Sequence, residues 1–150
     1  MNFVKNVKVM AGQASPEDAL SAGNYPASGS YVDVSGYQYV NIVIHLGAVD
    51  GSDTPTFEVK EADAANGTLD ELDTTNCKKA CLGTDDDQVI VLFINVDALS
   101  EDHHFLSVVV SGVTNGSYGD IMYYLCGPKK APVSQDSTLL PSDNQFQKAG

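Results

Sequence analysis

The chain has 150 residues, 20 of them acidic and eight basic, for a net charge of −12, and every basic residue is Lys; Arg and Trp are absent. This length fits one domain that can bury a core without disulfides or metals. An acidic chain without the guanidinium fork is repelled by a nucleic-acid backbone and by an anionic membrane surface, so neither is an expected partner.

In chain order, the first segment, Asn2 to Met10, alternates in the manner of a strand, with Phe3, Val7 and Val9 on one side. It carries no long apolar h-region and so no secretory signal, and synthesis in the cytoplasm as a soluble protein is expected. Residues 11–30 are rich in Gly, Ser, Ala and Pro; Ser15-Pro16-Glu17-Asp18 has the Ser cap, early Pro and acidic first turn of a short helix, which Gly23 ends.

The body reads as β. Tyr37 to Leu46 places Val40, Ile42, Ile44 and Leu46 on one face and Tyr39, Asn41, Val43 and His45 on the other. Thr56 to Ala62 repeats the pattern with Phe57 and Val59 inward and Glu58 and Lys60 outward. Gln88 to Val96 is apolar on both faces, which predicts a central strand. Phe105 to Gly112 and Ile121 to Cys126 complete the series. Turn formers separate these runs at Val34-Ser35-Gly36, Asp50-Gly51-Ser52-Asp53, Ala65-Asn66-Gly67, Asp85-Asp86-Asp87 and Thr114-Asn115-Gly116-Ser117. Strands at this spacing, with no long amphipathic helix between them, predict an all-β, jelly-roll-like antiparallel sandwich. Its core is expected over residues 31–126, between an N-terminal strand or arm (1–30) and an extended C-terminal arm (127–150). The last segment has three prolines and little periodicity. It reads either as a frayed terminus or as an arm docked on a neighbouring subunit, with Leu139, Leu140 and Phe146 as anchors.

Chemistry is weakly signalled. Cys77 and Cys81 are spaced C-x3-C, with His103, His104 and Cys126 elsewhere, but this is no zinc-ribbon or finger spacing, and buried thiols are the simpler reading. Asp50, Asp53 and Asp85-Asp86-Asp87 offer oxygens to calcium without forming an EF-hand loop. His103-His104 beside Ser100-Glu101-Asp102 could supply a general base, yet no nucleophile elbow accompanies it. The expectation is a protein without catalytic residues, cofactor or metal.

The segment 31–67 carries a family look: Tyr31, Asp33-Val34, turn Gly36, Tyr37, the alternating Val40 to Leu46, Gly47-Ala48, Asp50-Gly51 and the strand Phe57 to Glu61. Val96-Asp97-Ala98-Leu99 followed by Phe105 to Ser111 continues it. Over roughly residues 30 to 125, at the level of pattern, the chain resembles small β-sandwich virion proteins of tailed bacteriophages, of the capsid decoration (cement) type. The resemblance implies a homotrimer on the outer surface of the head that binds and stabilises the major capsid protein shell. Contacts are then expected at Phe3, Val133, Leu139, Leu140 and Phe146, apolar residues in segments that cannot build their own core. Another virion role (tail, neck or head fibre) and a carbohydrate-binding module using Tyr37, Tyr39, Tyr118, Tyr123 and Tyr124 are the alternatives.

Overall fold

The computed structural model describes residues 6–13, 19–72, 77–130 and 133–134. Strands β1 (Val7–Ala11), β2 (Gly23–Tyr25), β3 (Val32–Asp33), β4 (Tyr39–Leu46), β5 (Thr56–Ala62), β6 (Asp70–Glu71), β7 (Lys78–Ala80), β8 (Val89–Asn95), β9 (Phe105–Ser111) and β10 (Gly119–Cys126) form two antiparallel sheets. The first sheet runs β1-β10-β4-β8. The second runs β2-β9-β5-β6, with β3 also on β9 and β7 also on β5. With β2 and β3 sharing one edge of β9, and β6 and β7 sharing one edge of β5, the eight positions read 1-8-3-6 facing 2-7-4-5. This is the strand order of a jelly roll, and the protein is an all-β sandwich. Both β1 and β2, which precede residue 31, are integral to the sheets.

The core follows from period-two alternation. Val40, Ile42, Ile44 and Leu46 point inward from β4, beside Ile121, Tyr123 and Leu125 of β10 and Ile90, Leu92 and Ile94 of β8. Phe57, Val59, Leu106, Val108 and Val110 meet them from the second sheet. Each fully buried side chain of this size contributes roughly 1.5–3 kcal/mol.

Tyr123 ties the layers together. Its ring is wholly buried, and its hydroxyl accepts the Val108 N–H at 2.9 Å and donates to the Tyr25 carbonyl. Tyr25 and Val108 are directly paired residues of β2 and β9. A side chain of the first sheet therefore completes the ladder of the second at the point where β2 ends. The close approach also explains Gly12, where a Cβ would lie 2.7 Å from the Tyr123 ring.

Strand β8 departs from its expected place. It is the edge strand of the first sheet, not a central one, with Ile90, Leu92 and Ile94 buried but Val89, Val91 and Phe93 at 60%, 58% and 47% exposure. The second apolar face is turned to solvent, so two apolar faces did not here signify burial on both sides. The anticipated Ser15–Asp18 helix start lies outside the described residues.

Candidate functional site

The residues of the first sheet that do not enter the core form a continuous outer face. Register aligns them in rows across the strands β8, β4, β10 and β1: Asn95, Tyr39, Cys126, Val7; then Phe93, Asn41, Tyr124, Val9; then Val91, Val43, Met122, Ala11; and finally Val89, His45, Asp120. In a chain with 20 acids this face carries one, Asp120, and it is paired with His45 at 2.8 Å at the end of the face. Exposure rises across the sheet: Val7 and Val9 are buried, Val43, Met122 and Tyr124 are half-buried, and Val89, Val91 and Phe93 are exposed. Tyr39 and Phe93 stack in a tilted pair, ring centres 5.7 Å apart. Beyond Tyr39 a pocket of about 290 Å³ opens between Val7, Gln38, Cys126 and Pro128.

The second sheet shows what a solvated face of this protein looks like. There Lys60 bridges Glu58 and Glu71, and Lys78 reaches Glu58 at 3.7 Å. The outer face of the second sheet is thus charged and cross-paired, and that of the first sheet is apolar.

The remaining chemical candidates are absorbed by the fold. Asp53 is buried and accepts from Thr114 N and Oγ1, Asn115 N and Nδ2, and Ser117 Oγ. Burial alone would raise its carboxyl, but the hydrogen bonds from Thr114, Ser117 and Asn115 outweigh that and hold it far below the usual carboxylate range. Asp50 caps its own turn through Ser52, which lowers its carboxyl as well. Asp85 accepts from Leu82 N and Asp86 from Val49 N, each clipping the loop before β8. These acids anchor loops with the oxygens that calcium ligation would use. Among the described residues no group of three or more His, Cys, Asp and Glu side chains converges as a metal site.

His103 sits on a groove of about 520 Å³ whose lining includes Ser35, Ser100, His104 and Lys129. Its Nδ1 lies 3.4 Å from Glu61 Oε1, within ion-pair range but out of line for a hydrogen bond. Glu61, which shares the inward face of β5 with Phe57 and Val59, is buried and accepts from both the backbone N and the hydroxyl of Ser100. The Ser100 hydroxyl is thus engaged by the Glu61 carboxylate. Strand alternation carries the only sequence signal for Glu61, since it places residues 57, 59 and 61 on one side.

Cys77 and Cys81 flank β7 while Cys126 ends β10 in the other sheet; all three are buried, the Cys77 thiol donates to the Leu72 carbonyl, and burial pushes the Cys81 and Cys126 thiols up. Of the five tyrosines, Tyr123 is in the core, Tyr39 and Tyr118 lie near opposite ends of β4, roughly 23 Å apart at strand rise, and Tyr124 shares the outer face of the first sheet with Tyr39, one row away. Of the expected contact residues, Val133 is half-buried; Phe3, Leu139, Leu140 and Phe146 lie outside the described residues. No described helix is long and apolar enough to cross a membrane. The chain matches no family model, no curated protein and no solved structure.

Proposed function

We propose that this chain is a virion structural protein, a capsid decoration protein that binds the outer surface of a phage head and stabilises the shell of major capsid protein. The observation that carries this reading is the outer face of the first sheet: a nearly charge-free, largely apolar surface on an otherwise strongly acidic molecule. Such a face gains affinity by burying Val43, Met122, Tyr124 and the exposed side of β8 against a partner. The acidic remainder stays solvated and keeps decorated particles apart. The jelly roll agrees with the sandwich that the family resemblance implies, although many functions use this fold. The terminal segments, through Phe3, Leu139, Leu140 and Phe146, supply additional contacts in this reading and gain from effective concentration once the face is seated. The trimer implied by the resemblance belongs to the same proposal.

Co-sedimentation with assembled heads and with unassembled capsid protein tests it. Saturable binding to heads alone is expected, and a Val43→Glu/Met122→Glu variant, which charges the middle of the face, should lose it. Failure of the folded wild-type chain to bind heads of its own phage would refute the proposal.

A further inference from the structure

We infer that β8 is a self-association edge: β8 of one molecule pairs antiparallel with β8 of a second copy about a two-fold axis, joining two four-stranded sheets into one. This inference is independent of what the protein decorates.

The edges of the sandwich are treated unequally. Those of the second sheet at β6 and β7 are two and three residues long and carry Asp70, Glu71, Lys78 and Lys79, the short charged form that discourages pairing. Strand β8 is seven residues long and contains no charge, no Pro and no Gly. Strand β7 comes near it without pairing with it, and all three β7 residues are exposed. Among the described residues no strand pairs with the outer edge of β8. A long, uncharged, apolar edge of this kind is a template for uncontrolled addition of strands; a two-fold contact closes it, because each β8 is consumed by its partner.

The backbone specifies how the pair forms. Leu46 N donates to Gln88 O at one end of β8, and Val96 N donates to Gln38 O at the other. Alternation in an antiparallel ladder then turns the N–H and C=O of Ile90, Leu92 and Ile94 toward β4. Val89, Val91, Phe93 and Asn95 aim theirs at the open edge. At the ends, Asp87 takes a positive φ of 55° and the 3-10 turn Val96–Ala98 begins, so the extended stretch is confined to β8. A two-fold centred on Leu92 uses all of it: Val91 bonds Phe93 of the second copy and Val89 bonds Asn95, with Leu92 facing Leu92 and Ile90 facing Ile94 between them. Every residue so paired is uncharged, and apolar residues meet apolar ones except where Asn95 meets Val89.

Charge selects the second copy over a basic partner strand. At −12 per molecule two copies repel over most of their surface, and β8 is an edge where they can meet without opposing charges. The acids near the two ends of β8, Asp85 to Asp87 and Asp97, lie at the rim of the pair, where salt screens them. Self-association therefore strengthens with added salt, whereas pairing with a basic strand weakens.

Analytical ultracentrifugation of the full chain, at low and high salt, reads the result. The expected species has an even multiple of the 15.9 kDa chain mass, twice it for the pair alone or six times it where the β8 contact joins two trimers of the proposed function, and its population grows with salt. Val91→Pro deletes an N–H aimed at the open edge without removing a bond to β4, and Val91→Lys places a charge at the centre of the contact; each should abolish the dimer while circular dichroism stays that of the sandwich. Amide exchange gives an independent signature: Val89, Val91, Phe93 and Asn95 should be protected only in the paired state, and Ile90, Leu92 and Ile94 in both. A wild-type chain that stays monomeric at every concentration, or an oligomer that survives both folded Val91 variants, would overturn the inference, and so would a pair that weakens with salt.

Discussion

Replacing Tyr123 with Phe removes one oxygen from the centre of the sandwich and leaves the ring in place. The hydroxyl bridges Val108 N–H and Tyr25 C=O, so its loss strands a buried donor on the central strand β9 and an acceptor at the end of β2. An unsatisfied buried group costs roughly 1–3 kcal/mol, and we take ~2 kcal/mol for this pair because the Tyr25 carbonyl lies nearer the surface. For a chain of this length that corresponds to a fall in Tm of about 4–8 °C. The pH dependence is a second reading. Burial pushes the Tyr123 phenol far above its ordinary value, and the hydrogen bond from Val108 only partly offsets this. The unfolded chain therefore loses this proton near the ordinary value of 10.0 while the folded chain keeps it, so stability is intact below that pH and declines as pH rises above it. Tyr123→Phe should reduce this alkaline loss. Differential scanning calorimetry of both proteins measures both effects. A Tm change below about 1 °C would mean that β2 closes directly onto β9 and that the hydroxyl is no necessary bridge.

Gly112→Ala should destabilise by more than ~2 kcal/mol in chemical denaturation, because φ is +72° and the new Cβ would meet Thr54 O at 2.2 Å. Asp53→Asn should lower Tm at neutral pH by replacing an acceptor of five donor groups, among them Thr114 N and Ser117 Oγ, with a side chain that itself carries an N–H₂. Because the folded Asp53 carboxyl is depressed below its ordinary 3.8, its contribution is present above about pH 4 and is lost as pH falls further. The gap between wild type and Asp53→Asn should accordingly narrow in acid, and a constant gap would assign the loss to shape and not to charge.

Much of the sandwich was legible because its strands alternate cleanly. In β4 the inward set Val40, Ile42, Ile44 and Leu46 and the outward set share no ambiguity, and the bounds of β5 and the buried strand-end Cys126 follow from the same logic. Strand β8 was misjudged because a sequence records that a face is apolar but not what covers it. Ile90 and Leu92 face the core, while Val89 and Val91 face outward with equal hydropathy. Strands β2, β3, β6 and β7 are two or three residues long, too short to show a period, and are held by pairing with the distant β9 and β5. The loop anchors were hidden for a related reason. Asp53 finds its donors some sixty residues downstream, and the Glu61–Ser100 contact spans 39 positions, so local composition could show only acidic turns and a strand end. The apolar outer face became visible once register set Phe93, Asn41 and Tyr124 in one row.

The central claim, that this acidic jelly roll with one apolar face is a decoration protein, is tested most directly by quantitative mass spectrometry of purified virions, counting copies of this chain per major capsid protein. The account predicts a ratio fixed by icosahedral symmetry, near one or a simple fraction of it. A handful of copies per particle would assign the chain to the tail or a vertex instead, and its absence from virions would contradict the account altogether.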